Sequence, residues 1–201
     1  MVPGSEPLRG ARWPLVLGAI VLAGVLSAVG LQLASRSLLV NQERSASQAL
    51  KDVVAAELDF RSNDRDGNKI NDFWVGDVSG LHYMKGPGGE LIRLIRKSVA
   101  DADAEPLFAA RREPLDGYWF VAFRRNPYGQ PYEASDKPSK HRSFAEFAFC
   151  AYPVSTGSGR QSSYVVNEDC TVGKAPDDRI YIRWPVEYPA PSPTWGFEKL
   201  D

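Results

Sequence analysis

Residues 35–60 read SRSLLVNQERSASQALKDVVAAELDF. The apolar positions Ala46, Ala49, Leu50, Val53, Val54 and Phe60 recur at three- and four-residue steps, the period of one helix face. No proline falls between Arg36 and Phe60, so nothing in the stretch removes a helical hydrogen bond. The stripe predicts an amphipathic helix over 35–61 with one side set against a core. What flanks this helix decides the fold class.

Upstream, residues 14–34 (PLVLGAIVLAGVLSAVGLQLA) carry no charge. At about 1.5 Å per residue, some 20 residues cross a hydrocarbon core of roughly 30 Å. A helix also satisfies its own backbone groups in lipid. Arg9 and Arg12 precede the run, while Arg36 and Arg44 follow it, the second beside Glu43. This modest basic bias puts the N-terminus in the cytoplasm and the rest of the chain outside. Gly18, Gly24 and Gly30 stand at helical spacings that let a neighbouring helix approach, although glycine is also simply common in membrane helices. The expectation is a cytoplasmic segment 1–13, a single-pass transmembrane helix 14–34 and an exported domain. A cleaved secretory signal, cut near Ala28-Val29-Gly30, is the competing reading. The apolar run exceeds the roughly 7–15 residues of a signal's apolar region.

Downstream, 63–72 is a polar, glycine-containing loop, and 72–84 (DFWVGDVSGLHYM) suits a short helix or a turn and strand. KGPGG, 85–89, breaks the chain. Residues 90–100 (ELIRLIRKSVA) place Leu91, Leu94, Ile95 and Val99 on one face, predicting a short helix. From Gly117 the period becomes strand-like. GYWFVAFRR (117–125), FAEFAFCAYPV (144–154), SSYVVN (162–167) and RIYIRW (179–184) are rich in aromatic and β-branched residues. STGSGRQ, 155–161, has the composition of a hairpin loop, 126–142 is a long polar insert, and PAPSPTWGFEKLD, 189–201, reads as an extended tail. Helix first and antiparallel strands after give an α+β domain, 62–201, with the long N-terminal helix packed on the sheet. That is the layout of pilins and pseudopilins.

Composition narrows the function classes. The 201 residues hold 24 basic and 25 acidic side chains, a net charge of −1, so no basic excess points to nucleic acid. His82 and His141 are the only histidines, which starves most zinc and histidine-based schemes of ligands. There is no G-x-S-x-G elbow. GPGG and GSGR lack the Lys-Ser/Thr of a phosphate cradle.

One local pattern suggests a metal. Asp64, Asp66, Asn68 and Asp72 stand at alternating positions, with the Ile70 carbonyl as a natural backbone ligand. Calcium takes six to eight oxygens from a short loop of this kind. The pattern looks like one thrombospondin type-3 or dockerin-like calcium loop, except that Lys69 holds the usual glycine place and no terminal Glu follows. A solvated Asx-rich turn that ends the helix is the alternative. Cys150 and Cys170 are the only cysteines, and they flank 155–161 from adjacent candidate strands. In an exported domain this spacing favours a disulfide over two buried thiols.

Taken together, ELDFRSNDRDGNKINDFWVGDVSGL, LIRLIRKSVADADAEPL, GYWF, FAFCAYPVSTGSGR and SYVVNEDCTV resemble the blocks of an uncharacterised bacterial family. Its members are exported, membrane-anchored and pilin-like, and the resemblance covers about residues 58–172. It implies a pilin-like fold and no enzymatic activity. It does not extend to the prepilin signal, because no Gly-Phe type junction precedes Leu15 and the apolar run holds no Glu. The expected role is a non-enzymatic component of the cell envelope or of a secretion-type system. Its partners would be the membrane, other pilin-like subunits or envelope proteins. The alternative is an anchored extracytoplasmic binding module that depends on calcium.

Overall fold

The computed structural model describes residues 13–124, 131–132, 141–154, 161–175 and 198–200; for 13–23, 25–29, 175 and 198–200 only the backbone course is described. The chain divides into two compact units, Met1–Val40 and Asn41–Asp201. Helix α1, Trp13–Ser62, is 50 residues long and contributes to both. Most side chains of the expected membrane segment 14–34 lie outside the described residues. Among the described residues, no helix is long and apolar enough to cross a membrane.

In the second unit α1 buries one face, formed by Ala46, Ala49, Leu50, Val53, Val54, Ala56 and Phe60. After it come β1 (Phe73–Trp74), α2 (Gly80–Tyr83), α3 (Lys97–Asp101), β2 (Tyr118–Ala122) and β3 (Arg142–Ser143). Then follow β4 (Ala148–Pro153), β5 (Ser163–Asn167), β6 (Val172–Ala175) and β7 (Glu198–Leu200). Five strands form one antiparallel sheet in the order β2-β4-β5-β6-β7, and β1 pairs with β3 in a second, two-stranded ribbon. The register sets Phe120 opposite Ala151, Cys150 opposite Val165 and Trp74 opposite Arg142.

The buried helix face joins Tyr118, Phe120, Phe147, Phe149, Tyr164 and Val166 in one core. Each such side chain removed from water contributes about 1.5–3 kcal/mol, so a stripe of this length fixes the helix on the sheet. Polar ties reinforce the contact. Glu43 accepts the Ser162 N–H at 3.0 Å and pairs with Lys174 at 3.2 Å, and within the sheet itself the Tyr118 hydroxyl donates to the Ser162 carbonyl at 3.0 Å. The chain is therefore α+β, a helix packed on antiparallel sheets.

Two expectations change. Residues 90–96 are not helical, and the helix starts only at Lys97. Instead Ile92 N–H donates to Met84 O at 3.0 Å and Leu94 N–H to Leu81 O at 2.8 Å, folding this segment back along α2. The KGPGG turn, with Gly89 at φ +84°, reverses the chain, and Arg93 at φ +48° leaves helical geometry. The apolar spacing serves that return instead of a helix face. The C-terminal tail, expected to be merely extended, supplies β7 beside β6. The expected strand 179–184, most of the insert 126–142 and most of the loop 155–161 lie outside the described residues.

Candidate functional site at the end of the long helix

The polar loop that follows α1 turns tightly on residues in the left-handed region. Asp64 (φ +45°), Gly67 (φ +71°) and Lys69 (φ +65°) all have positive φ. Lys69 thus adopts the conformation that glycine takes most cheaply. Asp64 Oδ2 accepts the Lys69 N–H at 3.0 Å and Asn68 Oδ1 accepts the Ile70 N–H at 2.7 Å. These are Asx-type bonds that give the loop a fixed course.

The candidate ligands gather unevenly. Asn68 Nδ2 donates to Asp66 Oδ2 at 2.9 Å and to Asp72 Oδ2 at 3.3 Å, so one amide nitrogen bridges two carboxylates. Arg142, from β3, joins them. Its Nη2 and Nε donate to Asp66 Oδ2 at 2.7 and 3.1 Å, and Nε lies 3.7 Å from Asp72 Oδ1. The guanidinium lies over the Trp74 ring, 4.3 Å from its centroid, and 5.3 Å from that of Phe60. Ile70 is half-buried, and its carbonyl accepts the Asp72 N–H at 3.1 Å. Among the described residues, no group of three or more His, Cys, Asp or Glu is arranged so that it could hold a metal ion.

A further acid belongs to this cluster. Glu57, on the buried face of α1, is 0% exposed, and its Oε2 accepts the Trp74 N–H at 2.9 Å. Burial pushes its carboxyl well above the usual range; the Trp74 N–H and Arg142 oppose that, and Asp72 adds to it. Asp72 is also raised, first by burial, with Asn68 and Arg142 pulling it down and Asp66 and Asp64 pushing it up. Glu57 Oε1, Asp64 Oδ1 and Asp72 Oδ1 are screened from solvent and accept no hydrogen bond.

A second acidic knot lies beyond β1. Asp77 accepts Trp74 Nε1–H and Gly80 N–H, each at 2.9 Å, and the Ser79 hydroxyl. Asp103 accepts the Ser79 and Glu105 N–H groups at 2.7 and 2.9 Å. Burial, with Asp77 next, pushes Asp103 up to about 7. Both oxygens of each carboxylate are engaged on local donors, so the knot reads as a staple for the 77–107 segment. His82 Nδ1 lies 2.8 Å from the Ile95 carbonyl, and the His141 ring lies edge-on to Trp74 at 5.9 Å.

The expected Cys150–Cys170 bridge is not formed; both are free thiols. Cys150 is buried in β4 opposite Val165, while Cys170 is exposed in the turn beyond β5, past Asn167, which pairs with Ala148. The strand register that was expected to bring them together instead offsets them along the sheet. No protein-family model matches the chain, and neither curated proteins nor solved structures give a match.

Proposed function

We propose that this chain is a non-catalytic, membrane-anchored, pilin-like component of a cell-envelope or secretion-type assembly, with α1 as its contact element to lipid and to like subunits. The observation that carries the reading is the set of exposed large apolar side chains on α1 ahead of residue 41. Leu31, Leu33, Leu38 and Val40 are 71%, 61%, 59% and 55% exposed. Apolar side chains grouped on one helix are a liability in water and an asset against lipid or another helix. The uncharged run 14–34 directly before them and the resemblance of several residue blocks to those of exported pilin-like proteins support the same reading. A helix that needs an outside partner at one end and holds a folded domain at the other suits a display or assembly role.

The test is photo-crosslinking of the full chain in its native membranes, from reporters placed at Leu31, Leu33 and Leu38. Self-adducts from several positions along the helix, in a fraction that resists alkaline extraction, are the expected result. Release into the soluble fraction, or a mature N-terminus at or near Leu31 by mass spectrometry, would overturn the anchor. Retention in the membrane without self-adducts would overturn assembly and leave the anchored binding module.

A further inference from the structure

We propose that the turn at the head of β2 is a modification site, where the Asp116-Gly117 pair isomerises to a β-linked isoaspartate, while the fold guards the chain's other Asp-Gly pair, Asp66-Gly67, against the same reaction. This does not depend on the assembly reading. The reaction needs a carboxyl free to swing towards the next residue, and a glycine nitrogen with no side chain beside it and no acceptor holding it. The Gly117 nitrogen attacks Cγ of Asp116, its amide proton leaves with the carboxyl hydroxyl as water, and a five-membered succinimide closes. Water then adds to either carbonyl. Opening at the main-chain carbonyl carries the backbone through Cβ and Cγ and leaves the α-carboxylate as the side group. The mass is unchanged, and no oxidant or cofactor takes part.

The two pairs differ in what holds them. Asp116 is exposed, and among the described residues its carboxylate takes one donor, the Ser45 hydroxyl on Oδ2 at 2.5 Å. Asp116 (φ +49°) and Gly117 (φ +82°) both lie in the left-handed region, the type I′ geometry of a two-residue hairpin loop. No backbone carbonyl among the described residues accepts the Gly117 N–H. Beyond its chain neighbours, the nearest atom to the place a Cβ would take on Gly117 is Gln42 Nε2 at 3.5 Å, so the approach is open. At Asp66 both carboxylate oxygens are fixed. Oδ2 takes Arg142 Nη2 and Nε at 2.7 and 3.1 Å and Asn68 Nδ2 at 2.9 Å, while Oδ1 takes the Asn68 N–H at 3.4 Å. Charge-assisted bonds such as those from Arg142 are roughly twice as strong as neutral ones. The Gly67 N–H is engaged by Asp64 O at 2.9 Å, and Pro87 stands 2.4 Å from the place a Cβ would take on Gly67. The product would mark the fold locally. Isoaspartate adds a backbone atom to a two-residue loop, which breaks the Leu115–Tyr118 exchange at 2.9 and 3.0 Å and the Val154 N–H to Gly117 O bond at 2.9 Å.

The experiment uses the full chain in detergent, aged at physiological temperature with and without denaturant. Peptides holding each pair are then released by protease, and electron-transfer fragmentation separates the β-linked from the α-linked form at equal mass. In the folded chain the β-linked form should accumulate several-fold faster at Asp116 than at Asp66, and in denaturant the two rates should converge. Asp66 converting as fast as Asp116 in the folded chain would overturn the site. So would a folded chain in which Asp116 stays α-linked while an unstructured peptide spanning 113–120 converts. A gap of the same size in denaturant would place the cause in the flanking sequence and overturn the role of the fold. Arg142→Ala supplies a second arm, in which Asp66 should convert several-fold faster than in the wild type with Asp116 unchanged. An unaltered Asp66 rate in that variant, if folded, would refute the guard by Arg142; if it does not fold, the wild-type comparison with and without denaturant decides.

Discussion

Replacing Arg142 by alanine tests how the acidic cluster is balanced. Its side chain is largely buried, as are those of Asp66 and Asp72 beside it. Removing one partner from a buried ion pair strands the other charge and costs about 3–5 kcal/mol. Loss of the stacking on Trp74 and Phe60 adds about 0.5–2 kcal/mol. Against this, Asp66 keeps the Asn68 donor and lies nearer to solvent. The expected loss is therefore about 3.5–4 kcal/mol, at the lower end of the summed range. Arg142→Lys keeps the charge but loses the contact of two nitrogens with Asp66 Oδ2, so a loss of about 1–2 kcal/mol is expected, set by the doubled strength of charge-assisted bonds. The assay is urea unfolding followed by tryptophan fluorescence at several pH values with chelator present. In the alanine variant Asp72 loses a cation that holds its pKa down, so its folded-state pKa rises further above the unfolded value. The deficit is then complete at high pH and shrinks as pH falls and Asp72 takes up its proton. A deficit below about 1 kcal/mol, on the scale of an exposed pair, or one that ignores pH, would refute the counter-ion role.

Two further outcomes follow from the remaining groups. Asp103, held at about 7 in the fold against an ordinary value of 3.8, costs stability as pH rises from about 4 to 7, because the unfolded chain releases that proton first; the full penalty is about 4 kcal/mol. Burial would also raise Asp101, but the Lys97, Tyr83 and Arg111 donors outweigh it and hold the group at about 2, so its contribution is present above about pH 4 and is lost as pH falls towards 2. Unfolding free energy measured from pH 2 to 9 should therefore peak near pH 4–5, and Asp103→Asn should flatten the decline above that maximum. Native alkylation should label exposed Cys170 quickly and Cys150 only on unfolding, since burial both shields the Cys150 thiol and pushes its pKa well up. Recovery of a linked pair from non-reducing peptide mapping would contradict the free thiols.

The helix and the central strands were legible because their buried residues repeat with a clean period. The six stripe positions Ala46, Ala49, Leu50, Val53, Val54 and Phe60 all fall in the core, and the runs read at 117–125, 144–154 and 162–167 contain β2, β4 and β5. Strand β6, VGKA, was not legible because it is short and carries a glycine and a lysine; the neighbour β5 and its turn create it. At 90–96 a helical spacing lost to backbone pairing with α2, an arrangement set by a turn outside the window. The candidate site was half visible. The loop oxygens stand out by alternation, while Arg142 arrives from a strand far along the chain. Glu57 did leave a trace, as the single acid among Val53, Val54, Ala56 and Phe60 on a stripe that should be apolar throughout. A buried acid in such a stripe asks for a partner before the partner is known.

The outer side of β2 carries a final consequence. Phe120 donates its N–H to Ala102 O at 2.9 Å and receives the Ala104 N–H at 2.8 Å, while Tyr118 exchanges both backbone bonds with Leu115 at 2.9 and 3.0 Å. The chain thus caps its own first edge strand with a short parallel bridge and a tight turn. An uncapped edge is an open template on which another polypeptide can add a strand, the route to runaway aggregates. Here the backbone groups that such a visitor would need at Tyr118 and Phe120 are already taken. Strand addition at Tyr118 and Phe120 is therefore foreclosed, and any contact made on this edge has to come from side chains, where it can be selective and reversible.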